Sequence, residues 1–521
     1  MREGEEICAD GISASHLRHG YGYIPVAPEF VIYLPRRVSA STIPGMLTAR
    51  DLAFRILRQW KIQQDPPLLP ERADPVWQQV PARERPFAFD LLTGVLRWRN
   101  ALDAVIASRL KQPLETLDVP VRAILWIGAY QLLIQGGTAN YAAVDTAVEL
   151  ARKNSATAKA SGLVNAVLRG ITRLNPRRIA VDKALSPIER LSRRVIALDF
   201  STQLFFNADV FPDPATEATA HLAAVRSHTA LFVDHLRKIF GDALAADLLL
   251  RNNQRPVITF RADAAALDVP ASAGLVAHAS AERFLVAAEG WNDAIEKLVA
   301  KGTLSPQDPT SARPVRRAAQ FAQPGAAEIP ASPAWPPKRI LDLCAGLGTK
   351  SLQLARAFPD AAVTATDIDA GKLERLAARA QQVKQKNIAT APLERLAPAA
   401  APDARFDLVL VDAPCSNTGV MAKRVQSRWR WPSLNHEALA TLQRQLLEQA
   451  AALLAPGGVL IYATCSIDPA ENQDRVKQFL ATHPDFKTVA EESTLPSLEV
   501  PADATHDGGY FAILAAAATH H

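Results

Sequence analysis

The chain has 521 residues, a formal net charge of +5 and four cysteines. Its 48% hydrophobic and 21% charged content matches core-forming protein and excludes wholesale disorder, and the length suggests about three to five domains. So few cysteines exclude a disulfide-stapled secreted scaffold, which makes a reducing, cytoplasmic setting the expectation.

Residues 1–45 mix Gly, Pro, Tyr and charges without helical or strand period. Glu3, Glu5 and Glu6 stand where a signal peptide needs basic residues. The chain has three methionines, and Met46 lies directly before the first periodic helix. The expectation is a disordered or non-native leader with translation starting at Met46.

Residues 46–180 read as helical. Thr48 is a candidate N-cap ahead of Leu52 to Leu57, and Phe87–Trp98, Val119–Ile134, Ala142–Lys153 and Ser161–Leu174 continue the apolar period. The most apolar stretch, Val121–Ile134, is interrupted by Arg122 and Gln131 and is short of the ~18–20 residues of a membrane span. This segment holds 19 Lys and Arg against 11 Asp and Glu, a net of +8, so the rest of the chain carries −3. Basic excess confined to one segment is the footprint of nucleic-acid binding, although a solvated Arg-rich surface would give the same count. The run Asn140 to Ala151, followed by Gly162-Leu163-Val164-Asn165-Ala166-Val167-Leu168-Arg169, resembles the signature of NusB-type RNA-binding helical domains.

Residues 181–235 give only weak helical periods and read as an unassigned helical linker. Asn252 to Arg261 reads as a helix end followed by a short strand, opening a small subdomain over 236–335. Residues 307–337 contain seven prolines and predict an irregular connection; 397–404 predict a second Ala/Pro loop.

From residue 338 strand and helix signals alternate. Ile340 to Leu343 is a short apolar strand that runs into Cys344-Ala345-Gly346-Leu347-Gly348-Thr349-Lys350 and a helix, Ser351–Phe358. A second strand ends at Asp367, a third, Phe406–Val411, at Asp412, and a further one, Val459–Tyr462, near Cys465. The pattern predicts a doubly wound α/β sheet over 336–517 with a ligand at the strand carboxyl ends. Gly346 and Gly348 allow close backbone approach, and Asp367 suits a ribose diol, as in a dinucleotide or S-adenosylmethionine. The loop lacks the Gly-x-Gly-x-x-Gly spacing of a dinucleotide site and the spacing of a phosphate loop.

Asp412-Ala413-Pro414-Cys415-Ser416 follows one strand and Ala463-Thr464-Cys465-Ser466 another. A lone cysteine is usually a small buried hydrophobe, but two at strand ends in one sheet face one site. Ligand spacing for a metal is missing, so none is expected. Residues 46–180 and 235–515 together resemble the RsmB (Sun/Fmu) family of ribosomal RNA cytosine-5 methyltransferases, in which an all-α NusB-like domain precedes a Rossmann-like α/β domain. His506-Asp507-Gly508-Gly509-Tyr510-Phe511-Ala512 resembles the family's closing strand.

The resemblance implies S-adenosyl-L-methionine as cofactor, held by residues 344–350, Asp367, Glu394 and Asp412. It implies Cys465 as the nucleophile on cytosine carbon 6, Cys415 as the group that assists adduct release, and Asp412 as base and ring stabiliser. RNA, most of all ribosomal RNA with an extruded cytosine, is the implied partner, and a monomer is expected. Transfer RNA as substrate, and a non-catalytic RNA-binding scaffold, are the rivals. Three departures stand out. Gly346, Leu347 and Thr349 replace Ala, Pro and Gly of the family loop; Glu394 stands near the place of a family Asp; and Lys423 to Trp429 replaces the family's Arg-Arg-His-Pro-Asp.

Overall fold

The computed structural model describes residues 46–517 except 61–64, 68, 71–73, 137–138, 264–270, 288–289, 323–334 and 397–404. The expected leader and the Ala/Pro loop 397–404 lie outside the described residues.

Five helices build the N-terminal domain: α1 (Ala49–Leu57), α2 (Arg85–Ala107), α3 (Val119–Tyr130), α4 (Asn140–Lys153) and α5 (Ser161–Thr172). Thr48 caps α1 through a reciprocal pair with Asp51, as the sequence predicts. In α3 every residue from Val121 to Tyr130 is buried, because α1, α2, α4 and α5 surround it. An apolar helix without a polar face is stable only in such a central position.

The segment 181–235 is not a helical linker. β1 (Arg177–Ala180), β2 (Val195–Ala197) and β3 (Thr202–Phe205) form an antiparallel sheet in the order β1-β3-β2. It seats Leu204, Phe206 and Phe211 against the helical core. These strands are three or four residues long, too short to show a period in sequence. Next come α6 (Ala218–Val225) and α7 (Ala230–Asn253), so the expected boundary at 235/236 falls inside a helix.

A four-stranded antiparallel sheet follows. It comprises β4 (Ile258–Ala262), β5 (Leu275–Ala277), β6 (Phe284–Ala287) and β7 (Leu304–Pro306), with α8 (Asp293–Ala300) packed on it. The predicted irregular connection 307–337 begins instead with a helix, α9 (Pro309–Phe321). Asp308 caps it by accepting from the Thr310 amide, and Pro309 occupies the first turn, where a missing N–H costs nothing. Ala312, Val315, Ala318 and Phe321 are buried at helical spacing. That stripe outweighs the interior Pro314, which the proline count alone overrated.

The C-terminal domain contains, in chain order, β8 (Arg339–Asp342), α10 (Thr349–Ala357), β9 (Ala362–Ala365), α11 (Ala370–Gln382), β10 (Ile388–Thr390), β11 (Phe406–Asp412), α12 (Ser427–Arg430), α13 (His436–Leu453), β12 (Leu454–Thr464), α14 (Gln473–Thr482), β13 (Phe486–Thr494) and β14 (Gly509–Ala516). The strands form one sheet in the order β10-β9-β8-β11-β12-β14-β13. The first five are parallel and β14 is antiparallel to both its neighbours. Alternate residues serve opposite faces. Leu408, Leu410, Val459 and Ile461 pack with α9 and α10; Val409, Val411, Leu460 and Tyr462 pack with α13 and α14. The chain reverses its direction of travel across the sheet between β8 and β11. Ligands of open parallel sheets bind at such a switch point.

Candidate active site at the switch point of the sheet

Asp412 ends β11 directly beside Ala463 of β12, so the two cysteine-bearing turns leave the sheet at one level. The Cys415 and Cys465 sulfurs lie 3.2 Å apart. The hydrogen bond from Cys415 pushes the Cys465 thiol down, against its burial, and Arg424 and Lys350 add positive charge in the same direction. The same bond, with burial, pushes Cys415 well up. The pair is therefore unequal, with Cys465 the more acidic sulfur and Cys415 the less acidic one.

A buried carboxylate braces both turns. Glu471 accepts from the Ser416 amide at 2.9 Å, the Ser416 hydroxyl, the Ser466 hydroxyl at 2.8 Å and the Gln443 amide at 3.1 Å. Asn472 accepts from Thr464 at 2.6 Å and donates to the Ser466 carbonyl at 2.9 Å. Sequence reasoning missed both residues, because the bonds they make span 5 to 55 positions along the chain. Gly419 completes the packing, since its amide donates to the Cys465 carbonyl and a Cβ there would stand 2.6 Å from Gly508.

Lys350, expected in the cofactor set, reaches across the switch point and donates to Asp412 Oδ2 at 2.7 Å and Ser311 at 3.1 Å. Burial disfavours its charge, yet Asp412 outweighs burial and holds the ammonium above its ordinary value.

The cofactor loop follows β8. Gly346 and Gly348 have φ of 56° and 82°, in the left-handed region that favours glycine. At Gly348 a Cβ would lie 1.9 Å from Leu376; at Gly346 it would meet open space. Asp367 accepts from the Gly346 amide at 2.8 Å and the Asp369 amide at 2.9 Å, so the acid two residues past β9 also shapes the loop. Ala345 donates to Thr366 at 2.8 Å, and Thr349 is the first residue of α10. Leu347 and Ile368, 55% and 67% exposed, give the rim an apolar surface. Cys344 is half-buried and packs against the core beneath the loop, and burial raises its thiol well above the ordinary range. Glu394 lies exposed in the short turn after β10.

One residue outside the expected set belongs here. Asp342, the last residue of β8, is fully buried, and burial raises its carboxyl to about 7. Ser351 donates to one oxygen at 2.6 Å and the other has no protein partner. An acid inside an otherwise apolar strand was the available signal. This orphaned oxygen, the open cradle at Gly346 and the Asp367 carboxylate fit a polar, diol-bearing cofactor.

The site also meets the helical domain. Arg428, completely buried, donates to the Asn253 side chain at 2.6 Å and to the Asn252 and Arg97 carbonyls at 2.6 and 3.0 Å. Arg97 of α2 returns bonds to the Asn252, Gln254 and Ala422 carbonyls. Trp429 enters the helical core edge-on to Trp60 at 5.6 Å, its indole N–H on the Leu96 carbonyl. The segment Lys423 to Trp429 therefore fastens the two domains beside the cysteine pair. Among the described residues no cluster of His, Cys, Asp and Glu could hold a metal ion, and no helix is long and apolar enough to cross a membrane.

Residues 334–508 match the family model described as 16S rRNA methyltransferase RsmB/F, and residues 47–173 that of the NusB family. The ribosomal RNA small subunit methyltransferase B of Vibrio cholerae is 28% identical over 455 residues, 84% of this chain and 91% of that protein. A Mycobacterium tuberculosis protein named for methyltransferase activity is 30% identical over 457 residues, 84% of this chain and 87% of its own length. The crystal structure of PH0851 shares the fold, with TM-score 0.59 and 20% identity over 89% of this chain and 98% of that one.

Proposed function

The chain belongs to the RsmB/F family of 16S rRNA methyltransferases, joined to a NusB-family domain, and from that premise we propose that it methylates carbon 5 of a cytosine in small-subunit ribosomal RNA. The observation that carries the reading is the pair of sulfurs 3.2 Å apart, set by two strand ends beside the Asp412–Lys350 pair. A scaffold would need neither the pair nor its unequal acidities.

Carbon 5 of cytosine is a weak nucleophile. Addition of the Cys465 thiolate to carbon 6 moves ring electrons onto carbon 5 and nitrogen 3. Asp412 would accept from the exocyclic amino group at the ring edge, and the Lys350 ammonium beside it would offset the negative charge developing at nitrogen 3. Adduct formation turns Cys465 into a thioether and removes the hydrogen bond that foremost raises Cys415. Once carbon 5 carries the methyl group, Cys415, its own proton given up to water, can accept the proton on carbon 5; the electron pair of that C–H bond reforms the carbon 5–carbon 6 double bond as Cys465 leaves as thiolate. Bound S-adenosylmethionine would supply the electrophilic methyl group. Residues 344–350 and Asp367 would hold it, with Asp342 beneath the loop and Glu394 on the same sheet edge.

The target base must leave its stack to reach two half-buried sulfurs, so an unpaired or extruded nucleotide is the substrate. Arg152, Lys159, Arg169, Arg173 and Arg178 are exposed on the helical domain and offer phosphate contacts.

The test uses purified protein, S-adenosylmethionine and small-subunit ribosomal RNA, read by bisulfite sequencing. Cys465→Ala should lower methylation at least about a thousandfold with the fold intact. Cys415→Ala should accumulate a protein–RNA adduct stable in denaturing gels. Methylation persisting in Cys465→Ala removes the nucleophile, and absence of the adduct in Cys415→Ala removes the release role.

A further inference from the structure

Asn417 and Arg424 occupy the mouth of the cysteine pair, and neither has a part in the chemistry above. Asn417 has φ of 61°, a left-handed conformation that asparagine tolerates better than most side chains. That conformation turns its amide back onto both sulfur-bearing residues. Its Nδ2 donates to the Cys415 carbonyl at 2.9 Å, and its Oδ1 lies 3.3 Å from Cys465 Sγ. Arg424 donates to the same Oδ1. The Arg424 donor on its oxygen and the Cys415 carbonyl on its nitrogen fix the orientation of the amide. The Arg424 backbone is anchored by its bond to Val420, one residue beyond Gly419, whose own amide holds the Cys465 carbonyl.

Taking Cys465 as the nucleophile, we propose that Arg424, held by Asn417, is a positioning residue that keeps Cys465 in its charged, reactive form. The amide oxygen alone would favour the protonated thiol, since it can only accept. The guanidinium on that oxygen adds positive charge that favours the thiolate, in the same direction as the hydrogen bond from Cys415 and the charge of Lys350, and against burial and Asp412. The other groups that face Cys465 are Cys415 and Asp412 from the end of β11 and Lys350 from α10; Glu471 lies behind Cys415. Lys350 is already committed to Asp412, which leaves Arg424 as the exposed cation assigned to the sulfur.

The experiment is the pH dependence of Cys465 alkylation by iodoacetamide, followed by peptide mass spectrometry on the full chain without RNA. It runs beside single-turnover methylation with small-subunit ribosomal RNA. Arg424→Gln should raise the alkylation midpoint by about half a pH unit to one unit. The methylation rate should fall about three- to tenfold at neutral pH and recover as pH rises, with KM for RNA unchanged. Arg424→Lys should restore most of the wild-type midpoint. An unchanged midpoint in Arg424→Gln overturns the assignment, and so does a raised KM for RNA without a midpoint shift, which would make Arg424 an RNA contact. The nucleophile reading fails separately, by activity surviving in Cys465→Ala.

Discussion

Two buried polar networks lie next to each other in this molecule and solve opposite problems. At the domain seam, Arg97 and Arg428 are surrounded by carbonyl oxygens and an amide, with no carboxylate among their hydrogen-bond partners. Burial pulls Arg97 down to about 10 and Arg428 well below the usual arginine range. At the catalytic edge, Lys350 meets Asp412 and its ammonium is held more firmly than in water. The seam uses cations for their number and direction of donors: each guanidinium gathers chain ends from several elements, which a smaller donor could not. The edge keeps charges as charges, as the proposed reaction, which moves electrons through a ring, would require. The first network fastens, the second is the one to which the proposed reaction is assigned, and the segment 419–431 borders both.

The largest expected effect tests the fastening. Arg428→Ala strips five backbone or side-chain acceptors at once and leaves them buried. The expected loss is about 3–5 kcal/mol, the range for breaking a buried charged network, read as a lower urea midpoint. A loss under about 1 kcal/mol would mean that Trp429 and the surrounding core fasten the domains without it.

The next effect separates a charge kept for function from one kept for stability. Asp342 has its carboxyl raised to about 7 by burial. An acid raised on folding holds its proton more tightly in the native state. Its contribution is therefore complete below the unfolded value near 4 and is lost as pH rises through about 7. Stability should decline by about 2–4 kcal/mol across that window from this group, and Asp342→Asn should flatten the decline. The same variant should weaken S-adenosylmethionine binding in calorimetry. A profile that is equally steep in the variant would place the pH dependence elsewhere, for instance at Asp507, raised to about 6 by burial beside Lys423 and Asp308.

The smallest effect on stability concerns the brace. Glu471→Gln keeps one acceptor and turns an amide donor toward groups that themselves donate, at a cost of about 1–3 kcal/mol. Because the two cysteine turns lose their common reference, kcat should fall about a hundredfold while S-adenosylmethionine affinity holds. An unchanged kcat would show that strand pairing alone sets the sulfur separation.

Much of this was readable in the chain. The helical domain, the strand–helix alternation after residue 338 and the two cysteine turns follow from apolar period and spacing, and β8, β9, β11 and β12 lie where those periods put them. The short sheet over 177–205 was not readable, because its strands carry too few residues for a period and gain stability only against the helical core. The helix Pro309–Phe321 was misread because prolines were counted without asking where in a turn they stand.

Sequence by itself determined which residue types are available: two cysteines at strand ends, an acid after each of two strands, a basic excess before residue 181. These are local properties, fixed by spacing along the chain. Tertiary structure alone decided that the two sulfurs stand 3.2 Å apart, that Lys350 belongs to Asp412, and that Glu471, Asn417 and Arg424 attend the pair. The physical reason is that parallel pairing of β11 with β12 brings residues 50 positions apart to one edge. Hydrogen bonds and charges act over a few ångströms of space, whatever the distance along the chain.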